Sequence, residues 1–331
     1  MKRLLILALL SVTGATATAL GAQVSDPHSQ STAAPATATA PRRVVTLGGP
    51  ITEIAFALGA EEAIVATDRT SIHPPRAQKL PSVGVYRALA AESVLALKPD
   101  KILAGSGLGP PAAARQLRDS GTPLVTVENP RDEPTLHAAI ALLGRELGRE
   151  REAAALSAKL RAQFDEVRQL VAGKPAPRVV FLMGLGGQLS AAGAGTQADG
   201  ALTLAGSKNI FGAFRGYKPV SEEALLAAAP DFILVATHTA TGDVSAPPDP
   251  QAFLRRRGLR SLKLLGAKTR FVGVDMGEFL IIGPRAGATT LKLANIFFGT
   301  APTTPATTPP PASAPAASAS APAVENKEAA K

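Results

Sequence analysis

The side chains in this chain that could bind a metal or perform catalysis are few, and they do not cluster. A zinc or manganese site usually combines several histidines with carboxylates, yet His28, His73, His137 and His238 each stand alone. A serine nucleophile would call for a Gly-x-Ser-x-Gly elbow, and none is written here. The glycine-rich stretch Gly184 to Gly195 lacks both the Gly-Lys-Ser/Thr ending of a phosphate loop and the dinucleotide spacing, so nucleotide binding is not expected. Three residues stand out instead. Tyr86, one of only two tyrosines, lies just upstream of Glu92, and Glu92 recurs further along as Glu223.

That recurrence belongs to a repeat. Aligned on their Pro-Asp pairs, Glu92 falls on Glu223, Leu95 on Leu226, Pro99 on Pro230, Asp100 on Asp231 and Ile102-Leu103 on Ile233-Leu234, all at an offset of 131 residues. Each copy reads as a short amphipathic helix that opens on acid, where the helix dipole favours negative charge, and closes on proline before a buried strand. A repeat this long is the size of a lobe rather than of a solenoid unit. The expectation is an α/β fold of two similar lobes with mostly parallel sheets, the ligand site lying between them.

The elements that position these residues follow from periodicity. Strands are expected at Val44 to Leu47, Ala63 to Ala66, Lys101 to Ala104, Pro123 to Val127, Arg178 to Met183, Phe271 to Val274 and in the second repeat copy. Helices are expected at Thr52 to Leu58, Ala112 to Asp119 and Ala198 to Leu204, around Arg255 to Arg257, and after Pro284. Two further apolar stripes, Leu136-Ile140-Leu143-Leu147 and Leu156-Leu160-Phe164-Val167-Val171, predict paired helices broken near Gly144 and Gly148, the second long enough to bridge two lobes. The expected divisions are 42–131 for the first lobe, 132–173 for a helical linker and 174–299 for the second lobe. Parallel sheets bind ligands outside the carboxyl ends of their strands, where Gly48-Gly49 and Gly105-Ser106-Gly107 fall; turn formation and close approach to a ligand explain these glycines equally well.

With 331 residues, 46% hydrophobic and 18% charged, the chain can bury a substantial core. The formal charge of +9 is spread among acids, and the aromatic fraction is only 4%, which argues against nucleic acid. Residues 1–22 read as a cleavable signal peptide, with Lys2 and Arg3, an apolar run from Leu4 to Leu10 and small residues near Ala19 and Ala22. Its loss would remove those two positive charges and leave +7. Without a cysteine there is neither a disulfide framework nor a thiol for lipid attachment, so a periplasmic protein that is not a lipoprotein is expected. Residues 23–41 read as a disordered leader and 300–331 as a Pro/Ala-rich disordered tail. No segment after the signal is apolar enough to cross a bilayer, and a monomer is expected.

Several stretches together resemble the periplasmic haem-binding proteins of bacterial ABC importers, within the wider group that carries cobalamin and siderophores. They are Arg43-Val-Val-Thr-Leu-Gly48, Thr52-Glu-Ile-Ala-Phe-Ala-Leu-Gly59, the Tyr86 stretch, Ala191-Ala-Gly-Ala-Gly-Thr196, Gly216-Tyr-Lys-Pro-Val-Ser221 with Glu223, and Gly283-Pro-Arg285. The resemblance spans about Arg42 to Phe298 and implies two lobes joined by a long helix, with small lobe movements.

It also implies a cargo, haem b, and an axial iron ligand in the position of Tyr86. Phenolate oxygen is a recognised haem ligand, and iron with a nearby cation favours loss of the phenol proton. Arg87 is such a cation, or a propionate partner, although neighbours in an extended loop point apart. The reading requires the Tyr86 hydroxyl to reach the groove between the lobes. Arg215 and Arg285 are further propionate candidates, since guanidinium meets carboxylate as a bidentate fork; Tyr217 is a pocket candidate beside Arg215. Met183 and His238 follow strand ends and are candidates for a sixth ligand, with five-coordinate iron as the default. Glu92 and Glu223 match the acids that the wider group uses, one per lobe, to meet arginines of the permease. The implied partners are that permease and its ATPase subunits, with no catalysis. A ferric siderophore or cobalamin in the same fold is the alternative, and a haem-dependent enzyme a remoter one.

Overall fold

The computed structural model describes residues 41–185, 188–237 and 269–299. The expected signal peptide, nearly all of the leader, His28, His238, the basic helix around Arg255 to Arg257 and the tail lie outside the described residues.

The first sheet forms where β-branched and aliphatic runs meet glycine or proline punctuation. Strand β1 (Val44–Leu47) ends at Gly48, whose φ of 109° only glycine adopts without strain, and α1 (Gly49–Ala57) starts at once with Pro50 in its first turn. β2 (Ile64–Ala66), α2 (Ala91–Leu95), β3 (Lys101–Gly105), α3 (Pro111–Asp119) and β4 (Leu124–Val127) follow. All four strands are parallel, in the order β2-β1-β3-β4. Alternation along them feeds two cores. Val44 and Leu103 face α1 and the next two helices, while Val45, Leu47, Ile102 and Ala104 face α2 and α3.

The helical linker comes next. Asp132 caps α4 (Glu133–Leu147) through a capping box with Thr135, and Gly148 ends it in the left-handed region at φ 64°. Of the two expected breakpoints, Gly148 is the break. Gly144 stays helical and serves packing instead, since a Cβ there would come within 2.6 Å of Ala153 at the start of α5 (Glu150–Val171). At 22 residues α5 is roughly 33 Å long. Leu136, Ile140, Leu143, Leu160 and Phe164 of this pair are buried in the first lobe's core.

The second sheet uses β5 (Arg178–Leu185), β6 (Gln188–Ala192), α6 (Gln197–Leu204), β7 (Lys208–Asn209), β8 (Tyr217–Pro219), α7 (Glu222–Ala228), β9 (Phe232–Thr237) and β10 (Arg270–Asp275). Two helices close the described chain, α8 (Met276–Phe279) and α9 (Ala286–Phe298), the latter packed on α5. The order is β10-β9-β5-β6-β8, with β7 also beside β5; β10, β9, β5 and β7 are parallel, whereas β6 runs antiparallel to both of its neighbours, β5 and β8. The antiparallel β6 lies in the glycine-rich stretch, where small residues hide the alternation that marks a strand.

The repeat is visible as one locking device used twice. The Asp100 carboxylate accepts the Arg43 backbone N–H at 2.9 Å, and the Asp231 carboxylate accepts that of Arg178 at 2.7 Å. The arginine side chains then donate to the ends of the preceding helical turns, Arg43 to Leu97 O and Arg178 to Ala228 O. Just before each Pro-Asp, Lys98 (φ 47°) and Ala229 (φ 41°) take the left-handed conformation that non-glycine residues seldom adopt. They are the only positive-φ non-glycine residues among those described.

Candidate functional site

The site is assembled at the carboxyl edge of the first sheet, around a residue the sequence reading passed over. Asp68, 2% exposed, follows β2 and accepts from Gly48 N (2.9 Å), Thr70 N (3.1 Å), Thr70 Oγ1 (2.8 Å), Ser71 Oγ (2.8 Å) and, more weakly, Tyr86 N (3.4 Å). A buried carboxylate is tolerated because its lone pairs are filled. It binds the turn after β1, the loop after β2 and the backbone of Tyr86 into one unit. A chain of hydroxyls, Thr46 to Thr52 to Ser71 at 2.8 and 2.7 Å, backs this unit from below.

Tyr86 opens a 3-10 turn, Tyr86 to Ala88, pinned to the loop after β3 by the Gly109 N–H to Tyr86 O bond (2.9 Å) and the Leu89 N–H to Gly109 O bond (2.8 Å). Its ring joins the apolar cluster of Leu47 and Ala104. Its oxygen receives the Asn129 amide at 3.4 Å, just beyond β4, and the Arg87 guanidinium stands 4.8 Å from the ring centroid. The glycines of the Gly105-Ser106-Gly107 turn make room for both. A Cβ on Gly105 would collide with the Asn129 side chain, and one on Gly107 would come within 2.5 Å of an Arg87 nitrogen. Burial raises the phenol pKa above its ordinary value, and the charge of Asp68 adds to that; Arg87 and the Asn129 hydrogen bond pull it down.

Two expectations change here. Arg87 does not point away from Tyr86, because a tight 3-10 turn, unlike an extended loop, lets the flexible arginine fold back over the adjacent ring. Moreover the hydroxyl is not open to a groove: Tyr86 is 3% exposed, with the Asn129 amide on its oxygen and the Arg87 guanidinium over its ring. Arg87 itself is exposed and, among the described residues, is held only by this stacking.

Other candidates fall elsewhere. Met183 lies on the inward face of β5 with Phe181 and Val179, 8% exposed in the second lobe's core, so it is not a cleft ligand. Strand alternation turned it inward. Arg285 is not free for a propionate, since its fork is spent on Glu53 (2.8 and 3.1 Å) and on the Gly277 carbonyl (2.9 Å). Tyr217 turns its hydroxyl to Thr196 and the Ala198 N–H at the start of α6, within the second lobe, and its pKa is raised by burial. Arg215 is exposed and has no ion pair among the described residues. His238 lies outside the described residues. His73 borders a pocket of about 310 Å³ with Phe56, Pro74, Arg76 and Pro284; its pKa is lowered first by burial and then by Arg285. Glu92 and Glu223 are exposed at the starts of α2 and α7. Both carboxyl groups titrate below the usual range, Glu92 chiefly through a hydrogen bond from Gln116 (2.7 Å), Glu223 chiefly through its own backbone N–H and then Ser221. Both are ionised at neutral pH.

Residues 44–272 match the family model described as periplasmic binding protein. Among solved structures, a periplasmic heme binding protein from Pseudomonas aeruginosa is 34% identical with a TM-score of 0.68, the match covering 79% of this chain and 94% of that one. The apo periplasmic heme-binding protein of Roseiflexus is 29% identical at a TM-score of 0.68, covering 78% and 98%. A vitamin B12-binding protein from Salmonella typhi is 32% identical over 195 residues, 59% of this chain and 72% of that protein.

Proposed function

The chain belongs to the periplasmic binding protein family, and on that premise we propose that it captures haem between its lobes and hands it to an inner-membrane ABC importer. The family consists of substrate-binding transport proteins, so binding rather than turnover is the activity assigned. Among the described residues no helix is long and apolar enough to cross a membrane. We take residues 1–22 as the signal that sends the chain to the periplasm, and 42–131 and 174–299 as the two lobes flanking the linker 132–173.

The observation that carries the haem reading is the environment of the Tyr86 oxygen. It sits at the carboxyl edge of a parallel sheet, and the groups set around it, the Asn129 amide and the Arg87 guanidinium, are both suited to a negative oxygen. Ferric iron would supply the Lewis acid that completes deprotonation. This chain's part is to hold the phenol through Asp68, to uncover it by movement of the exposed Arg87 side chain, to compensate its charge through Arg87 and Asn129, and to offer a propionate Arg215, which has no ion pair among the described residues. The likeness to two haem-binding structures across nearly their whole length supports the same reading. Glu92 and Glu223 are the proposed contacts with the permease, one on each lobe.

Titration with hemin, followed by absorbance, tests the assignment. The native chain is expected to form a tyrosinate-type spectrum, and Tyr86→Phe, which removes the ligand itself, to lose at least the about 10- to 100-fold in affinity that a metal site loses with a supporting group. Equal hemin affinity in the two proteins removes Tyr86 as the ligand. The vitamin B12-binding relative gives cobalamin standing as a second reading; cyanocobalamin binding that ignores Tyr86→Phe, with no hemin binding, would replace haem as the cargo.

A further inference from the structure

The two lobes meet through a half-buried ion pair, its carboxylate buried and its guanidinium partly exposed, that cargo binding leaves unexplained. Glu53 lies in α1 of the first lobe and Arg285, 232 residues later, at the head of α9. Their contact is a bidentate fork of 2.8 and 3.1 Å, and a third bond ties the guanidinium to the Gly277 carbonyl in α8. The Glu53 side chain is 5% exposed and has no other hydrogen-bond or ion partner among the described residues. Around the pair the surfaces interlock: Ile282 and Ala286 are buried in the first lobe's core, and a Cβ on Gly49 would come within 2.9 Å of Ile281.

A buried ion pair gains little net stability, because desolvation offsets the attraction; removing one partner, however, strands the other as a buried charge. Such a pair does more to fix position than to hold the fold together. We propose that Glu53 and Arg285 form an interlobe latch that sets the separation of the lobes, and with it the spacing of Glu92 from Glu223. The latch is all-or-none. Lobes that drift apart leave the Glu53 carboxylate, 5% exposed, without its bidentate partner and with only His73 and Arg76 along the adjoining pocket, so intermediate separations are disfavoured. The bidentate geometry also restricts rotation, which a single-point contact would allow.

The chain contains no cysteine, so spin labels at Ala112→Cys and Ala227→Cys, exposed positions on α3 and α7, report one interlobe distance without competing sites. Pulsed EPR on the full chain is expected to show a single narrow distribution. Glu53→Gln is expected to add a longer population and roughly double the width, as loosening one state of a two-state equilibrium does. Arg285→Lys, which keeps the charge but loses the fork, is expected to fall between them, and it carries the test alone if circular dichroism shows Glu53→Gln unfolded. Distributions that match the parent in the folded variants overturn the latch. The measurement uses no cargo, so its outcome is separate from that of the hemin titration.

Discussion

Tyr86 and Tyr217 are 131 residues apart, the same offset that relates Glu92 to Glu223, and each is followed by a cation, Arg87 or Lys218. The two lobes nevertheless use them differently. In the first lobe the residue opens a 3-10 turn lying on the loop after β3, its oxygen at the sheet's carboxyl edge and Arg87 over its ring. In the second it sits in β8, paired with the antiparallel β6 that has no counterpart in the first sheet, and its hydroxyl is drawn to the start of α6. Lys218 stands over Phe214 rather than over the tyrosine. Duplication has kept the backbone lock at Asp100 and Asp231 while the extra hairpin redirected the phenol. A repeated position keeps its role only where the neighbouring elements are repeated as well.

The contrast is sharpest under paired substitution. Against the large affinity loss expected for Tyr86→Phe, Tyr217→Phe should change hemin affinity by less than about threefold and instead lower stability by about 1 kcal/mol, the usual worth of one buried hydrogen bond. Absorbance titration and urea unfolding measure the two effects; matching affinity losses would make both phenols ligands. Next in size is transport. Glu92→Ala and Glu223→Ala should each weaken permease-stimulated ATPase coupling in liposomes, and the double variant should abolish its dependence on the binding protein. Loss from one glutamate only would make the docking one-sided.

Proton linkage separates the lobes further. Under the proposed ligation iron takes the phenolate, so binding at Tyr86 would release a proton and affinity should rise with pH while the phenol is still protonated, by up to about tenfold per unit. Because burial holds the Tyr86 pKa above its ordinary value, the rise should continue beyond neutrality. It should persist in Tyr217→Phe and vanish in Tyr86→Phe, as isothermal calorimetry in buffers of different ionisation enthalpy would show. The smallest effect concerns the shared lock. Asp100→Asn and Asp231→Asn should each cost about 1–2 kcal/mol, since each weakens a charged hydrogen bond to a strand start; widely different costs by urea unfolding would show the lock to be unequal.

Much of the fold was legible because its signals are local. Val44 to Leu47 before Gly48-Gly49, the stripes of the two linker helices and the doubled Pro-Asp all announce their own structure through spacing. The strand β6 escaped because Gly184 to Gly195 offers too few large side chains to show alternation. In the site, Tyr86 and the two glutamates were found through repeat and resemblance. Asp68, Asn129 and Glu53 were not: the contact that brings each into the site or the interlobe pair reaches a residue 18, 43 or 232 positions away. A faint signal existed for the second tyrosine, whose offset from Tyr86 equals that of the repeat.

Periodicity and duplication by themselves determined two α/β halves with mostly parallel sheets, the helix pair between them and an acid at the head of each repeated helix. These depend on hydrophobic spacing and backbone stereochemistry, which act over a few residues. Which tyrosine faces the sheet edge, which arginine is spent on Glu53, and that Met183 turns inward were decided only when distant segments packed. Those outcomes depend on who satisfies each buried polar group, and that is settled in three dimensions.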